Sequence, residues 1–157
     1  QQCAGNYIVF LTDGSANGAT ASTKIKNAGM GISTCQAKLS DGSRAFDGDE
    51  LCGTDVVKYL YGADLSSTLD GKQNVVTHTI GFNLGTFYKS DGTVDTGNTT
   101  DNLHGVSYLQ EWAKQGGGTF YNVSSASDLL NAFRTIVAST TTESTSFAAP
   151  SVSVSAS

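Results

Sequence analysis

A short apolar run near the N-terminus dominates the pattern of hydrophobic and polar positions. Tyr7 to Leu11 is aromatic or aliphatic throughout, and Thr12-Asp13-Gly14 stops it. A strand that is apolar on both faces is typical of a parallel sheet covered by helices. Ligands of open α/β sheets bind beyond the carboxyl ends of such strands, so Asp13 stands where function is expected. An ordinary Asp-Gly turn is the alternative interpretation.

Periodic apolar positions predict further helices and strands downstream. Helical spacing marks three segments, and β-branched or aromatic residues mark two others. In chain order the predictions are a helix from about Asp55 to Tyr61 capped by Thr54 and ended by Gly62, a strand over 74–82, a helix capped by Asp101 or Asn102, a strand over 119–123 and a helix capped by Ser125.

This order of elements predicts an α/β fold. Right-handed β-α-β crossovers would build half of a doubly wound, mainly parallel sheet, with three core strands, three helices, long loops and an extended C-terminal tail. Residues 1–138 form the predicted domain, and 139–157 form a Ser/Thr linker and tail. The strand at Tyr7 would lie at the edge of the sheet. Because exposed apolar edges are avoided, we expect further strands next to it, supplied by earlier sequence or by another chain.

Composition narrows the class of protein. The chain has 157 residues, 38% hydrophobic and 15% charged, with a net charge of −5. This balance fits one globular domain and disfavours nucleic acid or an anionic membrane surface as a partner. No apolar run approaches the roughly 20 residues that span a bilayer. Abundant Gly, Ser, Thr and Asn with scarce Lys, Glu and Arg favour a secreted or surface-exposed protein.

The cysteines indicate a cross-link. Cys35 and Cys52 bracket one polar loop, and a disulfide between them would contribute roughly 3 kcal/mol in the chain-entropy model. Cys3 is then left over, which suggests a partner outside this chain. Three buried thiols without a cross-link are the alternative. No C-x-x-C spacing or histidine cluster predicts zinc.

Other polar residues carry weaker signals. The loop from Asp41 to Glu50 collects four carboxylates, but it lacks EF-hand spacing and is predicted to be a solvated acidic loop. Asp91 and Asp95 are predicted to be solvated turn residues. His78 is predicted to be a structural histidine of a strand. No Ser/His/Asp arrangement, phosphate-binding Gly loop or pair of catalytic carboxylates can be assembled from the sequence. His78 and His104 are predicted in a strand and a helix, apart from any candidate nucleophile, so we do not expect an enzyme.

An ordered series of motifs resembles a known family. The stretches are 7–14 (YIVFLTDG), 70–82 (DGKQNVVTHTIGF), 116–121 (GGGTFY), 124–133 (SSASDLLNAF) and the tail 144–154. Together they resemble the C-terminal half of a von Willebrand factor A domain, and more closely that of the PilC/PilY-type tip adhesins of bacterial type IV pili. The resemblance covers nearly the whole chain, and the tail resembles that family's exit toward a following β-propeller.

The resemblance implies a function and a site. It implies a surface adhesion or ligand-binding module at a pilus tip, with minor pilins and a host or surface ligand as partners. The alternative is a structural or assembly module of the same tip. Asp13 matches one ligand of the family's metal-ion-dependent adhesion site, which holds Mg²⁺ (or Ca²⁺). The family's D-x-S-x-S loop is not in this sequence, and Asp13 alone would not hold the ion.

Overall fold

The computed structural model of the chain describes residues 5–14, 21–43, 45–46, 48–84, 93 and 101–145. Side chains of 101–104 and 141–145 are excluded from this description. Within these ranges the backbone forms strands β1 Asn6–Thr12, β2 Val75–Phe82 and β3 Gly117–Val123, helices α1 Ser22–Lys26, α2 Gly53–Gly62, α3 Asp101–Gln115 and α4 Ala126–Thr145, and a 3-10 turn at Gly48–Glu50.

The described strands form one parallel sheet in the order β1-β2-β3. In its register Val9 lies opposite His78, and Ile80 lies opposite Tyr121. β2 is central, and its residues from Thr77 to Gly81 are buried. The α/β fold with a parallel sheet, predicted from the order of elements, is therefore confirmed.

Helices cover both faces of the sheet. On one face α4 packs through Ala132 and Ile136 against Ile80 and Val123. On the other face α2 and α3 pack against β2, and α3 also packs against β3. There the Thr79 hydroxyl donates a hydrogen bond to the Leu109 carbonyl at 2.7 Å, which satisfies a polar side chain in a buried layer. Successive side chains of β2 thus point to opposite faces of the sheet, and each face packs against its own set of helices.

β1 lies at an edge of the described sheet, as the sequence predicted. Its side chains Ile8, Phe10 and Leu11 are 41%, 39% and 46% exposed. The apolar composition of β1 is typical of a strand with neighbours on both edges. Within the described residues, however, only β2 pairs with it. Exposed apolar edges of this kind are sites of further pairing.

The junction between β2 and β3 depends on three consecutive glycines. The register shifts between Thr77 and Thr79, which are paired with Gly117 and Phe120. A Cβ at Gly118 would collide with the backbone carbonyl of Thr77. At this irregularity the Thr119 N–H donates to His78 Nδ1 at 3.1 Å. His78 is buried and structural, as predicted, because it accepts a backbone donor close to the register shift.

Helix boundaries depart from the sequence prediction in three places. α1 was not predicted, since it is short and lies in a Gly/Ser-rich stretch. α2 begins at Gly53 after Cys52, whose φ is 73°, so Thr54 is not the cap. Thr54 instead lies within the helix, 1% exposed. Cys52 thus combines a left-handed backbone conformation with the disulfide bond to Cys35 at the start of α2.

α4 also runs past the predicted domain boundary at 138 and ends at Thr145. Its Ser and Thr residues do not stop the helix because their hydroxyls donate back to helix carbonyls. Ser139 Oγ donates to the Ile136 carbonyl at 2.7 Å, and Thr140 Oγ1 donates to the Val137 carbonyl at 2.8 Å. Cys3, Asp91, Asp95 and the tail 146–157 lie outside the described residues.

The acidic loop is folded against α3, so the prediction of a solvated loop is wrong for Glu50, which is 1% exposed. Leu39 and Phe46 form a cluster with Tyr108 of α3. The Glu111 carboxylate, 5% exposed, accepts hydrogen bonds from the loop that lies between Cys35 and Cys52. Gln36 Nε2, Ser40 N and Ser40 Oγ donate to it at 3.2, 3.2 and 3.1 Å.

The glycine at the β2–β3 junction gives a stability prediction. Gly118→Ala is expected to lower the free energy of unfolding by roughly 1–3 kcal/mol, because the methyl group would meet backbone atoms of Thr77. Urea unfolding followed by circular dichroism measures this change. Gly62→Ala is the matched control, since a Cβ there meets no atom within 4 Å. Equal effects of the two substitutions would contradict the close approach.

Candidate functional site

The carboxyl end of β1 closes in a tight turn. The Thr12 hydroxyl accepts a hydrogen bond from the Gly14 N–H at 3.3 Å and lies 3.1 Å from the Gly14 carbonyl. This local bonding is typical of a hydroxyl that mimics a backbone turn. Asp13 lies between them and is exposed. The turn therefore presents the carboxylate to solvent at the carboxyl end of β1.

A cavity of about 250 Å³ lies beside this turn, and we call it the edge cavity. β1, α1, the 3-10 turn, the start of α2 and α3 all contribute to its wall. Residues lining it include Phe10, Thr12, Asp49, Leu51, Tyr108 and Trp112. Its wall is mainly apolar, which is typical of small-molecule and side-chain binding sites.

Aromatic rings form one wall of the edge cavity. The centroids of Phe10 and Trp112 lie 5.0 Å apart, and those of Tyr108 and Trp112 also lie 5.0 Å apart. Both pairs are tilted, an arrangement favoured by the ring quadrupoles. Phe10 comes from the strand and the other two rings from α3. The aromatic contact therefore joins β1 to α3 directly behind the Asp13 turn.

Tyr108 is a fixed part of this wall. Its hydroxyl donates to the Glu50 carbonyl at 2.9 Å, and its ring meets Phe46 edge-on at 5.7 Å. Burial raises the pKa of Tyr108 well above its usual range, with the negative charge of Glu50 adding to the effect. The phenol is therefore neutral at physiological pH and acts as a donor. It holds the 3-10 turn against α3.

The disulfide predicted between Cys35 and Cys52 is present. Cys52 is 1% exposed and directly precedes Gly53, which lines the edge cavity. Gly53 lies so close to the Tyr108 hydroxyl and the Trp112 ring that a Cβ would collide with both. The cross-link therefore anchors the point at which α2 meets the aromatic wall.

The edge cavity gathers residues that sequence reasoning did not connect. Asp49 belongs to the acidic loop, and Tyr108 and Trp112 belong to a helix predicted for its core stripe. No local signal links them to the Asp13 turn, because the cavity that they line beside it depends on how the loop folds over α3. The apolar stripe of α3 was the one feature of the sequence that could have indicated the aromatic wall, and it was interpreted as a helix face buried in the core.

A metal ion does not fit the described residues. Within them no group of three or more His, Cys, Asp or Glu side chains could hold one. Asp13 is the one predicted metal ligand, and the neighbouring Thr12 hydroxyl is engaged with Gly14. Since Mg²⁺ needs near-octahedral oxygen ligation, this chain's described side chains are too few.

The helices in the described ranges lack the combined length and apolar character needed to cross a bilayer.

Comparison of the chain with protein-family models, with curated proteins and with solved structures gives no match. The resemblance to the C-terminal half of an A domain therefore rests on the order of the sequence motifs.

The disulfide gives the second stability prediction. Cys35→Ser is expected to lower the free energy of unfolding by roughly 3 kcal/mol, because a cross-link with a sequence separation of 17 residues is lost. Urea unfolding of wild type, with and without a phosphine reductant, measures the change. Reduction of the wild type should match the variant and should leave the variant itself unaltered. An unchanged midpoint on reduction would refute the prediction.

Gly53 gives a prediction specific to the edge cavity. Gly53→Ala should displace the Trp112 ring and move its fluorescence to longer wavelength, with a loss of roughly 1–3 kcal/mol in unfolding free energy. The chain has one tryptophan, so the emission reports this site alone. Gly48→Ala is the control, because a Cβ there meets nothing within 4 Å. A shift of equal size in the control would argue against the packing described.

Proposed function

We propose that this chain is a surface adhesion and ligand-binding module of a PilC/PilY-type protein at the tip of a type IV pilus. The observation that carries the proposal is the Asp13 turn at the carboxyl end of a parallel strand, directly beside the edge cavity. Open α/β sheets bind their ligands at this end. The ordered motifs of 7–14, 70–82, 116–121 and 124–133 support the same assignment.

The chemistry of the edge cavity supports a ligand with an apolar group. The Phe10 and Trp112 rings would cover that group. The exposed Asp13 carboxylate belongs to the adjacent turn, whose Thr12 and Gly14 line the cavity, and it would meet a polar or positively charged neighbour. A side chain of a host protein or of another surface protein has this combination. The disulfide supports an extracellular location, since such bonds persist in oxidising compartments.

Mg²⁺ (or Ca²⁺) enters the proposal only through residues outside this sequence. In the family that the chain resembles, a D-x-S-x-S loop supplies most of the ligands and the residue matching Asp13 supplies one. The described residues do not complete such a site, so no binding step of this chain is assigned to a metal. Asp13 is proposed as an exposed carboxylate of the turn beside the ligand site.

A structural role in the pilus tip is the second candidate. The exposed apolar side chains of β1, at 41%, 39% and 46% for Ile8, Phe10 and Leu11, favour it. In that role the open edge of the sheet would pair with other protein, such as a minor pilin, and Asp13 would contribute nothing to adhesion.

The two candidates predict different phenotypes for Asp13→Ala in piliated cells that carry the native protein. The adhesion proposal expects normal numbers of pili and loss of most attachment to the host or surface target. The loss follows because the exposed carboxylate of the turn beside the cavity is removed while the sheet is untouched. Electron microscopy counts the pili, and attached cells are counted after washing.

Asp70→Ala is the matched control, since Asp70 is an exposed aspartate in the turn before β2. It should leave both attachment and piliation unchanged. Attachment of the Asp13→Ala cells at wild-type level would refute the adhesion proposal. If deletion of the protein also removed the pili, that result would favour the structural candidate.

A further inference from the structure

One edge of β1 is not paired with any strand of the described residues. β2 pairs along the other edge from Asn6 to Thr12, and the order β1-β2-β3 leaves β1 outermost. Apolar side chains are exposed on both of its faces, with Phe10 toward α3 and Leu11 on the opposite face. β1 has no charged residue and no proline, the features that usually protect such an edge. This edge is therefore suited to pair with one further strand.

The positions of the helices show where the next parallel strand would lie. α2 and α3 contact each other on one face of the sheet, and with them the chain advances from β1 to β2 and then to β3. α4 follows β3 on the opposite face. Because parallel crossovers share one hand, a helix on the opposite face leads the chain back across the sheet. Since β2 and β1 already fill their positions, the next strand would lie at the free edge of β1, as in a doubly wound sheet.

The length of α4 brings the chain to the end of the sheet where such a strand would begin. Its 20 residues extend for about 30 Å, whereas the seven residues of β3 extend for about 23 Å. α4 therefore returns past the amino ends of the strands, and a strand after it would run parallel to β1.

The distance from α4 to the free edge is short. α4 packs over β2 and β3. With strands about 4.8 Å apart and packed layers about 10 Å apart, the free edge of β1 lies roughly 16 Å from α4. Five extended residues span about 17 Å. Residues 146–150 are therefore enough to connect α4 to this edge.

The sequence after α4 has the pattern of an edge strand. Residues 146–157, which lie outside the described residues, read SFAAP and then SVSVSAS. Pro150 stands directly before the alternating part, and a strand tolerates proline at its start. From 151 onward serine alternates with valine or alanine, the period of a strand with one buried face. Residues 151–157 provide seven positions, the number in β1.

We propose that residues 151–157 pair in parallel with the free edge of β1 as a fourth strand of the sheet. The pairing would satisfy the outward N–H and C=O groups of β1, as in the addition of a peptide strand to a sheet edge. Earlier sequence and another chain are the competing occupants. The proposal goes beyond the proposed adhesion role, which requires the Asp13 turn and the edge cavity but no pairing at β1.

Nuclear magnetic resonance of the ¹³C,¹⁵N-labelled protein tests the proposal. Nuclear Overhauser effects are expected between backbone protons of residues 7–11 and of residues 151–157. The β1 amides that point away from β2 are expected to exchange slowly with deuterium. Absence of these contacts, or fast exchange of these amides, would overturn the proposal.

The same spectra separate the competing occupants. A mixture of ¹³C-labelled and ¹⁵N-labelled protein detects contacts between two copies. If the partner of β1 belonged to a second copy, or to sequence that precedes Gln1 in the natural protein, the proposal would be refuted.

Paired substitutions in the tail identify the face that packs. Val152→Asp with Val154→Asp should detach the strand. Exchange of the outward β1 amides should then accelerate by roughly tenfold or more, the combined effect of several lost hydrogen bonds. Ser153→Asp with Ser155→Asp is the matched control, because it adds the same charge on the other side of the strand and should leave exchange unchanged. Equal acceleration in both variants, or none in either, would overturn the proposal.

Asp13→Ala separates this proposal from the adhesion role. The contacts between β1 and residues 151–157 should persist in that variant, because the turn lies beyond the paired residues. Their loss would refute independent pairing of the tail. Normal attachment of Asp13→Ala cells would refute only the adhesion role, whereas missing tail contacts in the wild type would refute only the fourth strand.

Discussion

The position of the polar loop between Cys35 and Cys52 depends on the hydrogen-bonding needs of one buried carboxylate, that of Glu111. It is almost completely buried on α3, and a buried charge is tolerated only when hydrogen bonds replace its hydration. Gln36 and Ser40 supply those bonds from the loop, and Gln115 supplies one from its own helix. The requirement therefore fixes the segment between the two disulfide-bonded cysteines against α3. Leu39 and Phe46 then complete an apolar cluster with Tyr108.

This docking forms part of the wall of two cavities. On one side of α3, the end of the loop brings Asp49 and Leu51 to the aromatic wall behind the Asp13 turn. On another side, the middle of the loop brings Asp41 over Ser107 and Lys114. The disulfide at Cys52 fixes the far end of the loop where α2 begins. Two cavities of opposite character thus depend on a single loop, one apolar and aromatic, the other polar.

The sheet and the loop differ in how far local sequence predicts them. β2 was recognisable because its β-branched residues suit a strand buried on both faces, and α3 and α4 because their apolar residues repeat at helical spacing. The loop between Cys35 and Cys52 has neither a run of β-branched residues nor apolar residues at helical spacing. Glu50 was expected in solvent because carboxylates are mostly exposed, and its burial depends on contacts with a helix far along the chain. Thr54 was expected to cap α2, but the cross-linked Cys52 takes that position.

The sequence by itself determined the parallel α/β arrangement, the edge position of β1, the structural role of His78 and the pairing of Cys35 with Cys52 as one of two alternatives. Each follows from local periodicity, strand order or the bracketing of one loop. Only the tertiary structure decided which residues line the cavity beside the Asp13 turn, and that Glu50, Ser107 and Glu111 are buried. Those features join residues that are distant along the chain. Their energies come from hydrogen bonds and ring contacts that exist only after the loop has docked on α3, and such contacts leave no period in the sequence.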